Sequence, residues 1–300
     1  MATRIRDDMG RDVSLLRPPR RVVSLVPSET ASVFALGAGD RLVGRTHYCV
    51  EPAGDVEHIP IVGGTKDADV SAVVDLRPDL VLANQEENAR PALEELVRLG
   101  HTVFVSFPRR VDDGVAHLAR LARLLAAPRD DSARGAIRRG YDAVAAARAQ
   151  RESPPVRAFV PIWLDPLMTA SGDTYLSDVL ALAGADNVFS DRERRYPLAA
   201  DLARRSPIPA DRLGDRDTRY PRITLEEVEA RAPELVLLPD EPYAFSEADA
   251  ERFRSLDIPA ARAGAIAFCE GKDLMWPGSR ASAGIPRIRD IVRRAASSRA

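Results

Sequence analysis

Two segments of the chain carry the same order of apolar and polar positions. Residues 69–88 read DVSAVVDLRPDLVLANQEEN and residues 224–243 read TLEEVEARAPELVLLPDEPY. With Pro78 laid on Pro233, 155 residues later, Val70 falls on Leu225, Val73 on Val228, Asp79 on Glu234 and the run Leu80 to Leu82 on Leu235 to Leu237. Apolar positions three apart before the proline predict a short helix packed by one face. The proline ends it, because it lacks an N–H and restricts the residue before it. The continuous apolar run that follows predicts a strand covered on both faces, as parallel strands are. Thr224 with Glu227 predicts a capping box at the second helix. Glu86 and Glu241, four residues past the last Leu of each run, thereby fall in loops beyond the carboxyl ends of buried strands, where open α/β sheets place ligand or partner surfaces.

A second echo lays SVFALGAGDRLVG (32–44) over DVLALAGADNVFS (178–190), 146 residues apart. The two offsets differ by nine residues, and the polar stretch 191–222 is the expected site of the insertion. The chain is therefore read as two related halves. A polar arm over 1–19 precedes an N-terminal α/β lobe over 20–128, a linking helix over 129–153 and a C-terminal α/β lobe over 154–300. In the first lobe, RVVSLV predicts a strand, Ser28 is placed to cap a helix starting near Glu29, helices are expected at 90–99 and 112–126, and TVFVSF at 102–107 reads as a strand. Between the halves, Ile137, Tyr141, Val144 and Ala147 recur at helical spacing with no proline among them. One helix of about 30 Å acting as a strut is the expectation. The second lobe opens on one strand at 157–163, followed by a loop, a helix over 176–184 and the strand NVF. It continues through helix 246–255, strand 265–268, the loop CEGKDLMWPGSR and a final helix from near Ile285.

Three hundred residues with 45% hydrophobic and 29% charged composition suit two domains of a globular protein. A net charge of −2 gives no footprint for nucleic acid. The start MATRIRDDMGRDVSLLRPPRR has three aspartates and no apolar core of a signal peptide, and no segment reaches the run of about 18 apolar residues that a membrane helix needs. A cytoplasmic chain without membrane insertion is the expectation. Cys49 and Cys269, one in each half, make no disulfide framework.

Several residues invite chemistry. His47, Cys49 and Glu51 alternate, with His58 further along the same loop, but their spacing matches no recurrent ligand pattern and no metal site is predicted. Lys66 and Lys272 are the only lysines, both in loops, where compact ammonium groups suit an anionic ligand edge; chance placement is the alternative. Trp163 and Trp276, the only tryptophans, suit a flat macrocycle or catecholate, or else close the core of a lobe. Glu86, Glu87 and Asn88, or Asp240 with Glu241, lack the nucleophile or metal that would make them acid/base machinery. No catalytic triad, phosphate loop or dinucleotide fingerprint is present, so no catalytic residue and no enzyme activity is predicted.

The blocks VVSLVPSETASVFALGAGDRLVG, VGGTKDADVSAVVDLRPDLVLA and MTASGDTYLSDVLALAGADNVF, in this order, resemble the class III, helical-backbone substrate-binding proteins. These are the cobalamin, ferric-siderophore and haem receptors of ABC importers, and the likeness covers about residues 20–295, with the cobalamin-binding branch most similar. It implies two pseudo-symmetric α/β lobes with mainly parallel sheets, joined by one long backbone helix. It also implies a bulky metal chelate in a cleft between lobes, a corrinoid before a ferric siderophore or haem, with no built-in cofactor and a monomeric chain. From the first lobe the implied ligand contacts are Ser28, His47, Tyr48, Gly63, Gly64, Thr65, Lys66, Gln85 and Asn88. From the second they are Trp163, Asp165, Tyr175, Tyr220 (or Arg195 with Tyr196), Tyr243, Trp276 and Arg280. Glu86 and Glu241 are the implied docking glutamates for a permease, if the chain is exported. A cytoplasmic enzyme or regulatory protein that reuses the cleft for a natural product is the alternative reading.

Overall fold

The computed structural model describes residues 3–127, 131–150 and 154–297. The chain divides into two compact units, residues 1–142 with 276–282, and residues 143–275 with 283–300.

The first unit begins with strands β1 (Thr3–Arg6) and β2 (Asp12–Leu15), which pair as an antiparallel hairpin. The segment read as a polar arm is thus folded onto the lobe. Ile5, Val13 and Leu15 enter its core, and Asp8 ties it down by donating its N–H to the Val105 carbonyl at 3.1 Å and accepting the Phe107 N–H at 2.7 Å. The chain continues through β3 (Val22–Ser24), α1 (Pro27–Ala35), β4 (Leu42–Arg45), α2 (Val70–Asp75), β5 (Leu80–Asn84), α3 (Arg90–Arg98), β6 (Val103–Ser106) and α4 (Val111–Leu124). The four strands β3 to β6 form a parallel sheet in the order β4-β3-β5-β6. Every residue of β5 and β6 is buried, because apolar clusters pack on both faces.

Helix α5 (Asp131–Ala149) runs from the first unit into the second. Its inward stripe is Ala133, Ala136, Gly140, Val144 and Ala147. Tyr141, expected on that stripe, is exposed. Gly140 takes the inward place because a Cβ there would lie 3.0 Å from Val115 Cγ1.

The second unit contains β7 (Val156–Phe159), β8 (Pro161–Leu164), β9 (Leu167–Thr169), α6 (Tyr175–Ala183), β10 (Ala185–Asn187), α7 (Leu198–Asp201), α8 (Leu225–Arg231), β11 (Leu235–Pro239), α9 (Glu247–Arg254), α10 (Pro259–Arg262), β12 (Ile266–Cys269), α11 (Gly271–Met275) and most of α12 (Ala281–Ser297). Its sheet runs β10-β7-β11-β12, all parallel. Taken in chain order, the strand sequence is the same in both units: second, first, third, fourth. The single strand expected at 157–163 is two strands. Pro161 offers no N–H to continue the ladder, and β8 turns into an antiparallel hairpin with β9.

The duplicated stretch behaves alike in both copies. Helices α2 and α8 each end before a left-handed residue preceding the proline, Arg77 (φ 46°) and Ala232 (φ 45°), and β5 and β11 each follow two residues later. The other echo is less regular. A 3₁₀ turn at Gly39–Arg41 separates α1 from β4, whereas α6 passes through Gly184, the left-handed cap, straight into β10. Helix-to-strand loop length, as well as the insertion, therefore sets the offset between halves.

Candidate functional site

In the first unit, the loops that leave the carboxyl ends of the parallel strands carry most of the expected residues. Pro27 occupies the first turn of α1, where a missing N–H costs nothing, and Val26 is the cap. Ser28 is therefore two residues past the cap position and is buried in the first turn of the helix.

Past β4, His47 and Tyr48 are exposed, their ring centroids 4.0 Å apart. Cys49 turns inward. Its Sγ lies 3.2 Å from Thr46 Oγ1, and burial pushes the thiol pKa up despite hydrogen bonds with Thr30 and Thr46. Glu51 faces Arg280 at 3.6 Å. The alternation of His47, Cys49 and Glu51 thus brings no three donors together. Among the described residues, no group of three or more His, Cys, Asp or Glu is arranged to hold a metal ion.

The glycine pair has a definite role. Gly63 adopts φ +94°, and a Cβ there would lie 2.6 Å from the Asp67 carbonyl oxygen; one on Gly64 would lie 2.8 Å from His47 Cε1. The turn delivers Thr65 and the exposed Lys66, whose ammonium donates to the Glu86 carbonyl.

Asn88 joins three segments. Its Oδ1 accepts the Asn84 N–H at 2.8 Å, and its Nδ2 donates to the carbonyls of Leu25 at 3.0 Å and Thr65 at 2.9 Å. Both donor hydrogens are engaged within the protein, so the side chain fixes the loops rather than reaching outward. Gln85 is exposed beside it, and Glu86 is half-buried with its N–H on Asn84 Oδ1 at 2.8 Å. Beneath this loop runs a buried polar chain absent from the sequence reading. Asn84 Nδ2 donates to Ser106 Oγ (3.3 Å), Ser106 Oγ donates to Glu29 Oε1 (2.7 Å), and His117 Nε2 lies 2.9 Å from Glu29 Oε2. The available signal was His117 itself, set among Val115, Leu118 and Leu121 on the apolar face of α4.

Segment 276–282 also belongs to the first unit. Gly278 (φ +92°) brings it against α1, where the Ser279 N–H donates to Ser32 Oγ at 3.3 Å, and Arg280 meets Glu51. Trp276 is only 6% exposed. It closes a packed interior and offers little flat surface to a macrocycle.

The second unit presents a different surface. Trp163, 42% exposed on β8, packs edge-on against Tyr243 with centroids 5.5 Å apart, and Tyr243 packs on Phe245 at 4.8 Å. The indole N–H donates to the Asp165 carbonyl in the β8–β9 turn at 3.1 Å. An exposed aromatic is thus backed by a ladder reaching the core phenylalanines Phe253 and Phe159. Tyr175 opens α6 and is buried; its hydroxyl lacks a hydrogen-bond partner, and burial followed by the charge of Asp178 pushes its pKa up. Tyr220 is half-buried beneath the Arg219 guanidinium at 5.6 Å.

Past β11, Asp240 Oδ1 accepts the Gly271 N–H at 2.7 Å, and Glu241 presses on Gly271 so closely that a Cβ there would meet Glu241 Cγ at 2.5 Å. Lys272, expected in a loop, lies on α11 and pairs with Glu270 at 3.4 Å. Asp240 and Glu241 are thus packed against the backbone of Gly271.

No helix among the described residues is long and apolar enough to cross a membrane. Comparison with known proteins is consistent with this architecture. A vitamin B12-binding protein of Yersinia pestis (strain Pestoides F) is 34% identical over 192 residues, which are 62% of this chain and 67% of the relative. The periplasmic vitamin B12 binding protein BtuF of Vibrio cholerae superposes with a TM-score of 0.73 at 21% identity, covering 93% of this chain and 98% of its own. The periplasmic heme-binding protein RhuT of Roseiflexus sp. RS-1 gives 0.71 at 19% identity, covering 92% and 99%. At these identities the superpositions establish the fold, the helical-backbone arrangement of paired α/β units. The model of the periplasmic binding protein family matches residues 22–267, and the chain belongs to that family.

Proposed function

We propose that this chain is a non-catalytic binding protein for a bulky metal chelate, a corrinoid before a ferric siderophore or haem. The observation that carries this reading is the 34% identity to a vitamin B12-binding protein, on a family match that spans most of the chain. The geometry supports it. Each unit ends its parallel strands in loops braced from below, by Asn88 in the first and by the Asp240–Gly271 contact in the second. Braced loops suit a receptor that binds a rigid ligand with little rearrangement. Trp163, supported by Tyr243, offers the flat apolar surface that a corrin or porphyrin face covers, and His47, Tyr48 and Lys66 offer exposed polar groups.

The structural neighbours are named periplasmic proteins. Those names favour a receptor working outside the cytoplasm over the cytoplasmic task expected from the N-terminal arm. Glu86 and Glu241, which follow corresponding strands of the two units, are the residues proposed to dock on a permease.

Titration of intrinsic tryptophan fluorescence tests the reading. Cyanocobalamin should quench saturably, and haem or a ferric catecholate less tightly. Absence of saturable quenching by all three would refute it.

A further inference from the structure

Several carboxylates in and beside the polar insertion between β10 and α8 are held by arginines. Asp201, fully buried, accepts from Arg192 Nη1 (3.0 Å) and the Arg195 N–H (2.9 Å) on one oxygen, and from the Arg222 N–H (2.7 Å) on the other. Glu227 accepts from Arg192 Nε at 3.0 Å and from the Thr224 N–H at 3.2 Å. Asp217 is gripped by Arg219 through Nε at 2.9 Å and Nη2 at 2.6 Å, and Asp191 pairs with Arg231.

Of the arginines of this segment that are not exposed, Arg192 and Arg219 are paired in this way and Arg194 and Arg222 are not. Among the described residues, neither guanidinium has a carboxylate within ion-pair distance, and the Nε of each is buried without a hydrogen-bond partner. The side-chain hydrogen bond of Arg222 is a long one, 3.4 Å to the Tyr220 carbonyl. Burial, and then the nearby Arg194 charge, hold the Arg222 pKa below its ordinary value, with Asp201 acting in the opposite direction. Half-buried cations that repel each other and have no carboxylate partner are unfavourable unless an anion joins them.

Both are nevertheless held firmly. The Arg194 guanidinium lies 4.4 Å over the Tyr196 ring, and its backbone N–H donates to the Thr218 carbonyl at 2.7 Å. The Tyr196 hydroxyl donates to the Asp217 carbonyl at 2.7 Å, which fixes the ring. The Arg222 backbone is anchored by its N–H on Asp201 and by an antiparallel bridge to Met168 beside β9. Planar guanidinium forks held in place match the paired oxygens of a carboxylate or phosphate.

We propose that Arg194 and Arg222, with Tyr196 as their support, form an oxyanion site in the second unit that takes a carboxylate or phosphate group. The claim deepens the chelate-binding reading, and rests on it only for the statement that the oxyanion belongs to the bound chelate. The site discriminates in favour of chelates that carry a carboxylate or a phosphate, the corrinoid's phosphodiester among them, and against those whose acidic groups are all esterified.

The test uses the full chain, as wild type, Arg194→Gln and Arg222→Gln. Thermal melts are recorded in sodium phosphate and in sodium chloride of equal ionic strength, and affinities are measured for haem and for haem dimethyl ester. Phosphate should raise the wild-type Tm saturably above the chloride control, and each variant should lose that increment. Haem should bind each variant about tenfold more weakly than wild type, the usual effect of losing one charge-assisted contact, with the ester unchanged. A wild-type response to phosphate no greater than to chloride overturns the proposal, whatever the variants do. So does a full phosphate response in both variants. If phosphate acts through the two arginines while haem, its ester and cyanocobalamin all fail to bind wild type, the oxyanion site stands with a free ion as its occupant and the chelate reading falls. If chelates bind wild type and variants alike with no phosphate effect, the reading stands and the oxyanion site falls.

Discussion

Replacing Asn88 by alanine separates scaffolding from ligand contact at the loop of the first unit. The side chain is 6% exposed and makes three hydrogen bonds, to the Asn84 N–H and to the carbonyls of Leu25 and Thr65. Truncation leaves three backbone groups without these partners, at about 1 kcal/mol each at the low end for buried groups, or about 3 kcal/mol in all. For a unit of this size, 1 kcal/mol corresponds to roughly 2–4 °C, so the melting transition should fall by about 6–12 °C. Asn88→Asp should be no milder, because it sets a carboxylate against two carbonyl oxygens. Scanning calorimetry reads the stability, and fluorescence titration with cyanocobalamin, well below the transition, reads binding. An unchanged melt with lost affinity would refute the reasoning and make Asn88 a ligand contact.

Asp201→Ala should cost about 3–5 kcal/mol, since it removes one of the two carboxylates on the buried Arg192 cation and the acceptor of the Arg195 and Arg222 N–H groups; urea unfolding giving a loss under about 1 kcal/mol would contradict the pairing. Trp163→Ala should alter stability by no more than about 1 kcal/mol, because the residue is 42% exposed, yet weaken corrinoid binding read by isothermal calorimetry, which does not depend on the lost fluorophore. Asp8→Asn should show a pH signature. Burial raises the Asp8 pKa, but the Arg120 guanidinium and the Phe107 N–H outweigh it, so the folded value lies below the ordinary 3.8. The carboxylate therefore contributes stability that is present above pH 3.8 and lost as pH falls through the lower folded value. The difference between wild type and Asp8→Asn should be full at neutral pH and vanish in strong acid; a difference independent of pH would contradict it.

The parts of the fold legible in sequence were those written in long-period apolar patterns. The helix–proline–strand repeat lies where its pattern places it, because short amphipathic helices and doubly covered strands leave few alternatives. Short-period signals were hidden. Ile5, Val13 and Leu15 alternate about a Gly10 turn, but two four-residue strands scarcely stand out from a polar arm. The alternation of buried Ile162, exposed Trp163 and buried Leu164 marks a second sheet that a continuous apolar reading absorbed into β7.

Within the candidate site, sequence located the loops and misjudged individual side chains. Whether a tryptophan closes a core, as Trp276 does, or stands outside it, as Trp163 does, depends on contacts far along the chain. The role of Asn88 likewise depends on carbonyls 63 and 23 residues away. Arginine-rich polarity marked the insertion, but only the geometry shows which guanidiniums lack a carboxylate.

Native mass spectrometry tests the central claim most directly, with the chain incubated in an equimolar mixture of cyanocobalamin, haem and a ferric catecholate. The account predicts one chelate retained per chain, the corrinoid in preference, and released with its mass unchanged. Retention of none of the three, or release of a chemically altered chelate, would contradict it.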